Sequence, residues 1–286
     1  MLVLVTGGSG HVGEVVCRHL AQSHEVVNFD SQPPREPFCR FIRGDILNSA
    51  HLMEAMRGIE GVVHLAAIPH PNWDPSDSIM NVNVMGTQRV VEAAALGSPT
   101  RVVTASSDST FGFVFGRGEI LPQYLPVDED HPTRPMDSYG LSKVLGEEIC
   151  KRYTRDIGLE TVCLRYCWVW DPETYSSLGG MADSPENFVG QLWGYVDVRD
   201  VAQAVEKSLE SPGIRHETLL ISADRTFQKR PSLELAEQFL PEGIEIRDEE
   251  WFAVEPRRTF MDCRRAKKMI GFAPEFDCWR ESGTEV

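Results

Sequence analysis

The chain of 286 residues has no run of about 18 apolar residues, so no segment is expected to cross a membrane as a helix. Its opening, Met1-Leu2-Val3-Leu4-Val5, runs straight into glycines. It lacks the charged segment and small-residue cleavage site of a signal peptide, so no secretory leader is expected. The seven cysteines (17, 39, 150, 163, 167, 263 and 278) are odd in number, and none forms a C-x-x-C pair. Neither a disulfide framework nor a metal site is expected, and a reducing, cytoplasmic setting follows. Positive charge is also scarce. Only six lysines stand among 28 basic residues, against 43 acidic ones, a net charge of −15. Such a surface repels phosphate backbones and anionic lipid, so nucleic acid and membranes are excluded as partners. A salt-adapted or GC-rich source produces the same imbalance. No internal repeat or low-complexity tract is found.

What is present is a core. Hydrophobic residues make up 42 % of the chain, enough for one large domain or one and a half. Short apolar runs at 2–6, 25–30, 39–43, 61–65, 101–105 and 159–164 are predicted strands. Between them, apolar residues at helical spacing predict helices over 11–22, 76–96 and 138–156. Strands alternating with helices, and nearly continuous in their apolarity, indicate a parallel sheet buried on both faces. After Pro172 the pattern loosens into Gly, Ser, Pro and Asp. It firms again at 198–209, 217–221, 232–239 and 264–270. The expected division is a nucleotide-binding sheet domain over 1–165 and a small lobe over 166–286, some of whose elements return to the sheet.

Thr6-Gly7-Gly8-Ser9-Gly10-His11-Val12-Gly13 follows the first strand and opens the first helix. A pyrophosphate needs backbone N–H groups at a helix N-terminus with no Cβ in the way. Gly7 and Gly10 supply the turn and the close approach, and Gly13 lets helix and strand pack. Asp30 ends the second strand, where a carboxylate takes the adenosine ribose hydroxyls and repels a 2′-phosphate. This favours NAD over NADP, although Arg35 is near enough in sequence to bear on that preference. The pattern defines an α/β class with a Rossmann-type, doubly wound parallel sheet and a small C-terminal substrate lobe.

Tyr139 and Lys143 are four apart on a predicted helix and share a face. A tyrosine, with an ordinary pKa of about 10, becomes a base near neutrality only beside a cation. Lys143 supplies one, so Tyr139 is placed to take a proton from a substrate hydroxyl as hydride leaves. Ser106 and Ser107 follow the fifth strand, at the sheet edge where ligands bind. One of these hydroxyls is placed to hold the reacting oxygen.

With these motifs the chain resembles the extended short-chain dehydrogenase/reductases, the NAD-dependent epimerase/dehydratase family. The resemblance also rests on Gly44-Asp45-Ile46, His64-Leu65-Ala66-Ala67, Asn81 to Thr87, Tyr139-Gly140-Leu141-Ser142-Lys143, Leu164-Arg165-Tyr166 and Tyr195-Val196-Asp197-Val198-Arg199-Asp200. It implies that Asp45 and Ile46 flank the adenine and that Leu65, Ala66 and Ala67 line the cofactor. It makes His11, Val12 and Tyr166 further cofactor contacts and Ser107 the catalytic hydroxyl. Asn83, also counted with the cofactor residues, would buttress the active-site helix. A homodimer built on the two long helices is implied as well.

Departures from the family pattern narrow the chemistry. Sugar dehydratases of this family carry Thr-Asp-Glu after the fifth strand; here stands Ser107-Asp108-Ser109, so standard water loss is not expected. Nucleotide-sugar epimerases carry an Asn where this chain has Trp168. No Lys or Arg occurs from Tyr166 to Val198, the stretch that shapes the substrate pocket in this family. A diphosphate or carboxylate is ordinarily held by an Arg fork. Such a cation would have to come from Arg117, Arg134, Arg257 or Arg258. The resemblance in size is to uronate dehydrogenases, but their carboxylate-binding Arg is missing. The expectation is therefore an NAD-dependent oxidoreductase acting on a neutral sugar or related secondary alcohol. Ser107, Asp108, Trp168 and Trp170 are the candidate substrate contacts, and Trp73, Phe113, Phe115, Tyr175 and Trp193 are further apolar walls. The alternatives are a nucleotide-sugar 4-epimerase with retained NAD and an NAD-binding sensor without turnover. The pairing of Tyr139 with Lys143 argues against the sensor.

Overall fold

The apolar runs form strands β1 (Leu2–Thr6), β2 (Glu25–Asp30), β3 (Arg40–Arg43), β4 (Gly61–His64) and β5 (Arg101–Ser107). After the two-residue β6 (Tyr124–Leu125) come β7 (Glu160–Tyr166), β8 (Val169–Trp170), β9 (Val196–Asp197), β10 (His216–Ile221) and β11 (Glu245–Ile246). Seven strands make one parallel sheet in the order β10-β7-β5-β4-β1-β2-β3. The remaining four pair as β8 with β9 and β6 with β11. The computed structural model describes residues 1–72, 74–97, 99, 101–116 and 121–283.

The helices in chain order are α1 (His11–Leu20), α2 (Ser49–Ala55), α3 (Ser76–Ile79), α4 (Gly86–Leu96), α5 (Ser138–Ile157), α6 (Leu178–Ala182) and α7 (Val198–Glu210). They end with α8 (Ser232–Phe239), α9 (Glu249–Val254), α10 (Arg264–Ile270) and α11 (Cys278–Glu281). On one face of the sheet, Val3, Val5 and Val63 join Val16 of α1, Val201 and Val205 of α7 and Ala266 of α10 in a single core. That core continues without a break into Trp170, Phe227 and Phe260 of the C-terminal residues. On the other face Leu4, Phe29 and Val62 pack on Leu52 of α2, Val90 of α4 and Cys150 of α5. Burial on both faces is why these strands show no polar alternation. β1 lies between β2 and β4, so the chain winds outward in both directions from it and leaves a crevice at the strands' carboxyl ends.

Three local features differ from the sequence expectation. The helix predicted over 76–96 is interrupted by a π-helical turn, Met80–Met85. Asn83 lies within it and is buried, with its amide bonded to the Ile68 backbone and to Ser142 of α5. A π turn shifts the helical register, a device common at functional sites and invisible to a 3.6-residue period. α2 was not expected; it is short, and its signal is the Asn48 cap, whose Oδ1 accepts the N–H groups of Ala50 and His51. The loose stretch after Pro172 holds α6 between two 3₁₀ turns, Thr174–Ser177 and Pro185–Gln191, ordered by burial of Tyr175 and Leu178 rather than by helix propensity.

Candidate active site

At the carboxyl edge of the sheet opens a cleft of about 610 Å³. Gly7, Gly10, His11, Val12 and Gly13 line it from the turn between β1 and α1. Gly7 has φ +74°, and a Cβ there would lie 2.5 Å from the Ala66 nitrogen. A Cβ on Gly13 would lie 2.0 Å from the Gly7 oxygen. Gly10 caps α1 without a side chain, which leaves the first N–H groups of the helix to an anion. Beside this turn, the Asp30 carboxylate accepts the N–H groups of Ser9 (3.1 Å) and Gln32 (3.0 Å). The Gly44 N–H is bonded to the Asp30 carbonyl, which brings Asp45 next to the end of β2. A bare helix N-terminus for the pyrophosphate and a carboxylate at the ribose position fit NAD.

Ser106 and Ser107 are the last two residues of β5, inside the strand rather than after it, so their side chains point to opposite faces. The Ser106 hydroxyl donates to Glu147 of α5 at 2.5 Å. Ser107 is near enough to Tyr139 to favour its phenolate, and its Oγ donates to Asp108 Oδ1 and accepts the Ser109 N–H, each at 3.1 Å. Lys143 Nζ donates to the Ala105 carbonyl at 2.9 Å and lies 5.4 Å from the centre of the Tyr139 ring. α5 starts at Asp137, whose side chain caps it by accepting the Gly140 N–H, and this cap sets the pitch of Tyr139 and Lys143.

Burial governs the proton affinities. It holds the Tyr139 phenol well above its ordinary pKa, with the nearby Ser107 hydroxyl pulling the other way. Burial also lowers Lys143 to about 8, against the attraction of Glu147. It pushes the Asp108 carboxyl up to about 7, against hydrogen bonds from Ser107 and backbone N–H groups. His64, under the sheet edge, is driven down to about 3 by burial and the Lys143 charge, so it is a neutral link between Thr6 and Thr87. The arrangement is a set of proton-exchanging groups around one open face of Ser107.

The model of the NAD dependent epimerase/dehydratase family matches residues 3–219. The chain belongs to that family. Similar proteins include an L-arabinose 1-dehydrogenase (NAD(P)(+)) of Haloferax volcanii, 32 % identical over 73 % of this chain and 82 % of its own length. A putative UDP-glucose 4-epimerase of Methanocaldococcus jannaschii is 31 % identical over 68 % of this chain and 62 % of its own. Among solved structures, MoeE5 in complex with UDP-glucose and NAD superposes with a TM-score of 0.73 at 25 % identity, covering 99 % of this chain and 97 % of that one. The protein is thus an NAD-dependent enzyme of the extended short-chain dehydrogenase/reductase type.

Within this family member, the cleft brings together Ser107, Asp108, Tyr139, Lys143, Leu65, Ala67, Tyr166 and Trp168. Other predicted residues stand elsewhere. Asn83 does not reach the cleft; it ties Ile68 to Ser142 and steadies α5 from behind. Ala66 lies against Gly7, and Ile46 packs against Gly86 beneath the open edge. The Asp45 carboxylate accepts the Leu47 N–H. Trp170 requires correction as a substrate contact: it is fully buried among Tyr195, Phe227 and Trp168. β8 points Trp170 inward and Val169 to the cleft, an alternation that the sequence shows only once the strand is known. Phe113, Tyr175 and Trp193 are buried as well, while Phe115 lines the cleft. Trp73 and Arg117 lie outside the described residues. Arg258 lines a separate depression with Arg225 and Glu255.

Sequence reasoning missed Glu147, Pro69, His70 and Gln191. Glu147 grips Arg165 through two bonds of 2.8 Å each and holds Ser106, forming a buried ion pair behind Lys143. Its signal was available: Glu147 follows Lys143 by four on α5, and Arg165 pairs in register with Ser106. Gln191 reaches the cleft from a 3₁₀ turn that no periodicity announces.

Proposed function

We propose that the protein is an NAD-dependent dehydrogenase of a neutral sugar, with the reacting hydroxyl held between Ser107 and Tyr139. The observation that carries this reading is the charge of the cleft. Among the described residues lining it, Lys143 is the one Lys or Arg, and its ammonium is bonded to the Ala105 carbonyl. An anionic substrate group would meet Asp108 and the apolar surfaces of Phe115 and Trp168 instead of a guanidinium fork. A neutral ring suits that lining, its face against Trp168 and its hydroxyls toward Asp108 and Gln191. The arabinose dehydrogenase relative, named for a neutral aldose, supports the same class.

In the oxidation, the substrate hydroxyl proton passes to the Tyr139 oxygen. Ser107 keeps that hydroxyl in line. Lys143 supplies the positive charge that offsets the burial cost of a Tyr139 phenolate. NAD, when bound along Gly7–Gly13 and Asp30, supplies the hydride acceptor. Asn83 and Glu147 touch no substrate; they fix α5 and β5, on which the three groups stand. A homodimer through α4 and α5 fits the exposure of Met85 and Leu141 on the chain's outer surface. A cytoplasmic setting fits seven free cysteines, six of them buried.

The test follows NADH absorbance while neutral aldoses, uronates and UDP-sugars are offered in turn. Net NADH from a neutral aldose supports the reading, and no NADH from any of them sinks it. Tyr139→Phe is expected to keep NAD binding and lose about 1,000-fold in turnover. Full activity in that variant overturns the role given to Tyr139. The second reading, a nucleotide-sugar 4-epimerase with retained NAD, draws support from the relative and the solved complex that carry UDP-glucose in their names. Interconversion of UDP-sugars without net NADH would establish it.

A further inference from the structure

A second group of ligand-type side chains lies away from the cleft, where the turn after α1 meets α7. Glu206 and Glu210 are four residues apart on α7 and share a face. His24 enters from the turn. Its Nε2 lies 3.3 Å from Glu210 Oε1, and the ligand atoms of His24, Glu206 and Glu210 are all within 4.8 Å of one another. The His24 side chain is only 6 % exposed, yet neither ring nitrogen has a hydrogen-bond partner. The approach to Glu210 has the distance of an ion pair without the alignment of a hydrogen bond. A buried imidazole whose Nε2 faces a carboxylate without a hydrogen bond is costly and leaves room for a better partner between them.

The spacing and the chemistry name that partner. Around a tetrahedral ion with bonds of about 2.0–2.1 Å, neighbouring ligand atoms stand about 3.3 Å apart. This matches the His24–Glu210 separation. Among the described residues the ion pairs of Glu206 and Glu210 are with His19 and His24, and no Lys or Arg neutralises them. Glu206 is itself oriented by His19 Nε2 at 2.7 Å and by the Ser23 hydroxyl, the kind of support that aims a ligating carboxylate. One imidazole with two carboxylates is a donor set suited to zinc-like divalent ions.

We propose that His24, Glu206 and Glu210 bind a divalent transition-metal ion of the zinc type, with water as the fourth ligand, clipping the turn after α1 to α7. The ion joins chain segments about 180 residues apart in sequence, on the same face of the sheet as α1, which begins at the glycine turn. It takes no part in hydride transfer, so the proposal stands apart from the choice of substrate.

The test uses the full chain, stripped with a chelator and titrated by calorimetry with Zn²⁺ alone, then with Co²⁺ to read coordination from its visible spectrum. One ion per chain is expected, and saturation should raise the melting temperature by about 4 °C or more. Glu210→Gln, at a half-exposed position, should keep the fold and weaken binding by about tenfold or more. His24→Asn should do the same and remove the nitrogen-ligand signature of Co²⁺. NADH formation should be unchanged in both. If the wild type shows no saturable binding, or if both variants bind as tightly as it does, the clip does not exist.

Discussion

The two sides of the cleft are made of different material. The side proposed for the cofactor is backbone: bare N–H groups at α1, glycines where a Cβ collides, and one carboxylate at the end of β2. The side proposed for the substrate is side chains gathered from far-apart places, namely Asp108 after β5, Trp168 beyond β7 and Gln191 from a 3₁₀ turn. A backbone site accepts one shape of ligand and leaves few sequences able to build it. A side-chain site is rewritten by single substitutions while the fold stays. That difference explains how one scaffold serves relatives named as dehydrogenases and as epimerases.

The sharpest way to break the comparison is a methyl group on the backbone side. Gly13→Ala places a Cβ 2.0 Å from the Gly7 oxygen and 2.7 Å from the Gly8 Cα, so the turn must open. NAD affinity should fall about 100-fold, read by fluorescence titration with NADH, because the phosphate-binding N–H groups lose their aim. Gly180→Ala, where nothing lies within 4 Å, is the control and should bind NAD as the wild type does. Unchanged affinity in Gly13→Ala would mean that the turn does not hold the pyrophosphate.

The same difference decided what was legible in the sequence. The parallel sheet was readable because burial on both faces leaves continuous apolar runs, and the glycine turn because its residues are forced by geometry. Tyr139 and Lys143 were readable because four residues make one helical turn. Asn83 was placed correctly as a buttress of α5, which it holds through Ser142, and it does not line the cleft with the cofactor residues. Glu147 was missed because its ion-pair partner Arg165 stands on another element, β7, and Gln191 because it reaches the cleft from a 3₁₀ turn that has no periodicity. The cysteine spacing that argued against a metal site says nothing about the imidazole and carboxylates around His24. Trp168 and Trp170 are the clearest case, two indoles separated by Val169 with opposite fates. Trp168 is 37 % exposed and lines the cleft, whereas Trp170 is fully buried. Trp168→Ala should raise KM for the sugar about tenfold with the melting temperature nearly unchanged, since it removes a ring-stacking face. Trp170→Ala should cost about 3–5 kcal/mol of stability by leaving a cavity. Steady-state kinetics and thermal unfolding on the two variants separate the roles, and a KM effect confined to Trp170→Ala would reverse them.

The smallest expected effect concerns the point where the two sides meet. Burial raises the Asp108 carboxyl from an ordinary 3.8 to about 7. Between about pH 4 and pH 7 the folded chain keeps a proton that the unfolded chain has lost, so stability falls as pH rises through that window and the full cost is present above 7. Asp108→Asn carries no such cost. Its melting temperature should match that of the wild type near pH 4 and exceed it by about 5 °C at pH 8. A constant difference across the range would place the wild-type carboxylate at its ordinary pKa. The direction of this effect also bears on the substrate side. Above pH 7 an ionised Asp108 adds a negative charge beside Ser107, in a lining where Lys143 is the one described Lys or Arg. Anionic sugars would then be repelled most strongly, and neutral sugars would be affected only through the hydrogen bonds that Asp108 accepts or donates. A neutral substrate is therefore expected to keep its KM across that pH range, whereas any residual activity on a uronate should decline as Asp108 ionises.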